Sequence, residues 1–205
     1  MAKTQWTYWA DYDCSELAKV PLKDRQEVWT DWLQERVRRF VLEPLRKIKG
    51  DLIQPPDDSS ALLIFSVSLL CAVEAMGKYL KGSNTSGNRV RFEAFVTSYM
   101  HEDYNLKSIN GDKYVTLLWK HFRNGIAHGF AIAKGKFEQN NDEPYFVESR
   151  DAADHAVLSL NWDKLFDDFE EACNRYFKDV RSADTTGTIL SNFTSVFEDV
   201  IVKRN

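Results

Sequence analysis

Apolar residues recur at spacings of three and four along most of this chain, the pattern of helices that bury one face. Between residues 22 and 49, Val28, Trp29, Trp32, Leu33, Val37, Phe40, Val41, Leu45 and Ile48 keep that spacing and predict one long helix. Pro44 should kink it, because proline removes a ladder bond and crowds the preceding turn. Gly50 should end it, and Gln54-Pro55-Pro56 reads as a rigid connection. Residues 59–81 are apolar nearly all round, with Asp57, Asp58 and Ser59 as N-caps, and predict the most buried helix. After the turn-rich residues 82–88, Arg89 to Tyr104 carry Phe92, Phe95, Val96 and Tyr99 on one side. A fourth helix follows Asn110-Gly111-Asp112, with Val115, Leu118, Trp119 and Phe122 apolar.

Beyond residue 129 the period changes. Phe130 to Phe137 and Tyr145 to Glu148 have strand character around a polar turn and predict a β-hairpin, to which Ala156 to Leu160 adds a short strand. Asn161 caps a predicted helix from Trp162 to about Val180, and residues 186–202 form a last amphipathic one. The fold class is therefore mainly α with a small β insertion at about 130–160. We divide the chain into an aromatic arm (1–21, with Trp6, Tyr8, Trp9 and Tyr12 and a short helix at 14–19), a helical domain (22–181) and a terminal helix (182–205). That terminal helix is placed to cover the core or a partner subunit.

With 205 residues, 43% hydrophobic and 28% charged, the chain can fill a sizeable core. Its 27 basic against 31 acidic residues give a net charge of −4, so any nucleic-acid contact must come from a local patch. Three widely spaced cysteines, Cys14, Cys71 and Cys173, argue against a disulfide framework and against zinc, and fit a reducing cytoplasm. The first residues lack the apolar core of a signal peptide. The longest uncharged run, 59–73, is too short to span a bilayer. No metal or cofactor motif is present, so neither is expected.

The chemistry concentrates in Trp119 to Phe130, W-K-H-F-R-N-G-I-A-H-G-F. Arg123 offers a permanent guanidinium suited to phosphate, and His128 an imidazole able to move a proton near neutral pH. Both residue types also suit helix C-termini for purely structural reasons. On a straight helix, positions five apart diverge by roughly 140°. Arg123 and His128 can therefore meet one ligand only if the backbone unwinds near Gly125 and Gly129, or if a second subunit supplies half of the site. Glu74 and Lys78, at i and i+4, form either a structural ion pair or a carboxylate that orients a catalytic group. Arg36, Arg38, Arg39, Arg46, Lys47 and Lys49 are either a solvated face or a surface for RNA. Lys78, Lys81, Arg89 and Arg91 form a second cluster, for phosphates or for solubility. Asp167, Asp168, Glu170 and Glu171 are a solvated face or a dock for a basic helix.

The run R-N-G-I-A-H-G at 123–129 resembles the signature of the HEPN superfamily, an Arg, four to six residues beginning with a polar one, then a His. The helical surroundings and the stretch A-V-L-S-L-N-W-D-K-L-F-D-D-F also look like that family over about residues 22–181. The resemblance implies an up-and-down helical bundle, usually a homodimer with a composite cleft, and a metal-independent endoribonuclease of the toxin or defence type. It implies that His128 is the general acid or base, that Arg123 binds the scissile phosphate, and that Asn124 adds hydrogen bonds. Glu74, with Lys78, would support them. Arg36, Arg39, Arg89 and Arg91 would hold the RNA. An antitoxin or regulatory protein is an implied partner, and no membrane is. Some members of the family have lost catalysis and act as dimerisation, nucleotide-binding or partner-binding modules.

Overall fold

Residues 25–52 form the expected long helix, but as four joined segments. The computed structural model describes residues 14–53, 59–83, 87–129, 135–138, 145–150 and 156–203; the arm at 1–13 lies outside them. A short helix α1 (Cys14–Ala18) precedes α2 (Arg25–Val37), to which it is tied by the Trp29 indole N–H donating to the Leu17 carbonyl at 3.1 Å. A π-helical turn, Arg38–Leu42, then leads into α3 (Glu43–Lys47). The wide turn sits directly before Pro44, which has no N–H to give. There the Glu43 N–H reaches back five residues to the Arg38 carbonyl. A second π turn, Ile48–Leu52, carries the helix two residues past Gly50.

Helix α4 (Ser59–Lys81) is the centre, with Phe65, Leu69, Leu70 and Val73 fully buried. Its charge-free run stops at Val73, yet the helix continues to Lys81, so Ser60–Lys81 is long and apolar enough to cross a membrane by length and composition. One face of α4 fills the core, while Ile64, Ser68, Cys71 and Ala75 form an exposed stripe along the other. Helix α5 (Asn88–Tyr99) crosses α4 at Gly77, so closely that a Cβ there would lie 2.0 Å from the Arg91 carbonyl oxygen. It stops at Tyr99, short of the expected Tyr104. There the Tyr99 carbonyl accepts from Arg175 and the His101 N–H donates to Asp168 at 2.8 Å, and a separate 3-10 turn, Glu102–Asn105, follows.

The motif helix comprises α6 (Tyr114–Leu117), a π turn (Leu118–Arg123) and α7 (Asn124–Gly129). Helix α8 (Trp162–Ser182) starts as expected, with the Asn161 side chain accepting the Lys164 N–H at 3.2 Å. Helix α9 (Thr188–Phe197) ends in a π turn, Glu198–Val202. Phe193 and Phe197 are fully buried, and Phe197 stacks on Trp29 at 4.6 Å. The terminal helix thus covers the core of its own chain.

The expected hairpin is corrected. Strands β1 (Gly135–Glu138) and β2 (Phe146–Arg150) do not pair; β3 (Ala156–Asn161) lies between them, parallel to β1 and antiparallel to β2. The reason is burial. Leu158, Ser159, Leu160 and Asn161 are all buried, as a central strand requires, whereas β1 and β2 keep exposed positions and take the edges.

Candidate functional site

Where α4 touches the motif helix, Arg123 ends the π turn and its guanidinium is enclosed on three sides. One NH2 group donates to the Glu74 carboxylate. The other reaches the Asn124 side-chain oxygen at 3.4 Å. The Trp119 ring lies beneath, 4.8 Å from the guanidinium carbon to the ring centre. Trp119 in turn packs on Phe92, at 5.3 Å between ring centres, which fixes it against α5. The side chains of Arg123 and Glu74 are 12% and 16% exposed, so this is a largely desolvated ion pair that keeps a small contact with water. The Arg123 Nε is buried and has no hydrogen-bond partner.

Glu74 therefore pairs with Arg123. Among the described residues it makes no ion pair with Lys78, whose charge instead acts on Asp199. Asn124 lies beside the guanidinium and accepts from it. His128 is in α7, and its side chain lies outside the described residues. The backbone stays helical through Gly125 to Gly129, so it does not unwind there. Helical geometry then leaves His128 turned about 140° from Arg123 on the same rod.

The expected RNA-binding arginines are mostly engaged elsewhere. Arg39 pairs with Glu35, and Arg38 bridges Glu35 and Glu43, which drives the Glu35 carboxyl down to about 2 through its hydrogen bond to Arg38. Arg36 lies over Trp32 at 4.8 Å and Phe40 at 5.9 Å. Arg89 pairs with Glu93 at 2.8 Å, and Arg91 is half-buried where α5 meets Gly77. Arg46 pairs with Glu170 and Lys49 with Asp163 and Asp167, so the acidic face of α8 docks the basic end of the long helix.

Two neighbours complete the surroundings. Cys71, one turn before Glu74, is exposed and free; desolvation pushes its thiol up, with Arg123 opposing, so it is held as a thiol. An apolar cleft of about 340 Å³, lined by Phe40, Pro44, Ile48 and Cys71 among others, runs beside it between α3 and α4. Among the described residues no cluster of His, Cys, Asp or Glu has a metal-holding arrangement. Periodicity alone assigns Trp119 to the core; its second role is visible only in the W-x3-R spacing that lays Arg123 over it. Neither the family models, nor the curated proteins, nor the solved structures contain a match to this chain.

Proposed function

We propose that this protein is a HEPN-type, metal-independent endoribonuclease that works as a homodimer. The observation that carries the reading is Arg123, held by Glu74, Trp119 and Asn124, with a small part of its side chain still exposed, on an unbroken helix that bears His128 five residues further on. Positions five apart on such a helix diverge by about 140°, which favours a second copy, related by a twofold axis, as the source of the other half of the site. The exposed stripe Ile64, Ser68, Cys71 and Ala75 beside the site supplies a surface for such a copy.

In this reading a ribose 2′-oxygen bonds to the adjacent phosphorus while the bond to the 5′-oxygen of the next nucleotide breaks. A 2′,3′-cyclic phosphate and a 5′-hydroxyl remain. His128 of one copy takes the 2′-hydroxyl proton and then gives it to the leaving 5′-oxygen, at a phosphate held by Arg123 of the other copy. Arg123 neutralises charge that builds on the non-bridging oxygens, where a permanent, pre-oriented cation needs no reorganisation. The expected setting is a cytoplasmic toxin or defence effector, with an antitoxin or regulator as partner.

The test mixes two inactive variants, Arg123→Ala and His128→Ala. Cleavage that returns only on mixing supports a composite site; two silent variants that stay silent together oppose it. The second reading is a non-catalytic dimerisation or partner-binding module. The apolar cleft between α3 and α4 favours it, and wild-type protein that dimerises without cutting RNA would select it.

A further inference from the structure

The turn before the motif helix carries the most exposed large apolar side chain among the described residues. Ile109 is 86% exposed and Leu106, three residues earlier, 54%. Single exposed aliphatics are ordinary on protein surfaces. This turn differs because it is rigid and because of what flanks it. The Ser108 N–H donates to the Asp112 carbonyl at 2.8 Å, the Gly111 N–H to Ser108 at 2.9 Å and the Tyr114 N–H to Leu106 at 3.0 Å. Gly111 takes a φ of +87°, which closes the turn. Glu148 on β2 accepts the Ile109 N–H at 3.0 Å and the Tyr114 hydroxyl at 2.7 Å, while Tyr114 stacks on Phe146 at 4.4 Å. Ile109 is held out by the backbone beneath it.

Lys107 and Lys113 face each other across this turn as antiparallel bridge partners. The flanking bonds, Ser108 to Asp112 and Tyr114 to Leu106, make theirs the non-hydrogen-bonded kind of pair, in which side chains approach most closely. Like charges directly opposite one another are destabilising. Both lysines are exposed, and an anion between them would relieve the repulsion. Exposed Lys120 follows seven residues after Lys113, and Arg123 three after that. From the turn to Arg123 is roughly 13 Å along the helix, about the length of four stacked nucleotides.

We infer that the 106–113 turn is a second contact for single-stranded RNA, with Lys107 and Lys113 on a backbone phosphate and Ile109 against a base face. A strand of nucleic acid alternates charge and flat apolar surface, and so does this turn. An anionic bilayer or a second copy of the chain would not need two lysines set opposite each other at the head of a phosphate-binding helix. The inference rests on RNA being the ligand of the Arg123 site, and extends the site along the strand.

The test uses His128→Ala protein, so that RNA stays whole, and short labelled single-stranded RNA carrying 2-aminopurine. The double variant Lys107→Ala/Lys113→Ala should flatten the dependence of log affinity on log salt by about 1.4, two contacts at about 0.7 each. Ile109→Ser should weaken binding about tenfold with the slope unchanged, and should abolish the 2-aminopurine brightening that marks an unstacked base. Far-ultraviolet circular dichroism checks that these surface variants fold. Unchanged slope, affinity and fluorescence would overturn the inference. So would a change confined to vesicle binding or to oligomeric state. Turn-dependent binding by wild-type protein that never cuts RNA would remove the ribonuclease reading and leave this one; cutting with turn variants that bind normally would do the reverse.

Discussion

The Arg123 guanidinium lies 4.8 Å from the centre of the Trp119 ring, four residues before it in the same helix. A cation over an indole gains up to about 2 kcal/mol when desolvated. Trp119 also fills space against Phe92. Trp119→Leu should lower unfolding free energy by about 2–4 kcal/mol, measured by urea titration. It should also weaken RNA binding, because the guanidinium loses its platform.

Glu74→Ala strands a half-buried charge. Losing one partner of a buried ion pair typically costs about 3–5 kcal/mol, and the residual exposure of this one places it near the lower figure. Arg123→Met should cost less, since the carboxylate keeps partial access to water. In a double-mutant cycle the pair should couple, with the double variant less destabilised than the sum of the singles. Additive losses would mean that the two residues act apart.

Gly77→Ala places a methyl group 2.0 Å from the Arg91 carbonyl oxygen, a backbone atom that cannot swing away. The two helices must separate. A loss above about 3 kcal/mol is expected, against the stabilisation that Gly→Ala normally gives inside a helix. A neutral effect in thermal melts would show that α4 and α5 do not cross this closely.

Asp168 is buried at the foot of a polar cleft with His101, Tyr145, Lys164, Glu171 and Arg175. Desolvation raises its carboxyl above the ordinary value, although the His101 N–H and Arg175 pull the other way. A raised folded pKa means that its contribution to stability is full below the unfolded value and is lost as pH rises through the folded one. Asp168→Asn removes that ionisation while keeping an oxygen for the His101 N–H. The variant should therefore gain on the parent as pH rises from about 3 to 7, read as the difference in Tm. A constant difference would contradict the assignment.

Helices were the most legible part of the sequence, because each buries a stripe that periodicity reveals. The Asn161 cap and the span of α4 were written locally. The hairpin was not, because strand pairing depends on which strand is buried on both faces, and that is decided by Leu158 and Leu160 meeting the helices. The partner of Glu74 was equally hidden. The i,i+4 rule points it at Lys78, but a partner 49 residues away, Arg123, lies closer once α4 and the motif helix touch. The basic clusters misled in the same way, since the carboxylates that engage Arg46 and Lys49 come from α8, more than a hundred residues on.

The most direct measurement is RNA cleavage in the presence of a metal chelator, with product ends read by mass spectrometry. The account expects wild-type protein to leave 2′,3′-cyclic phosphate ends, and His128→Ala to lose at least a hundredfold in rate, the order of one acid–base group. Equal cleavage by the two proteins, or intact RNA with the wild type, would contradict it.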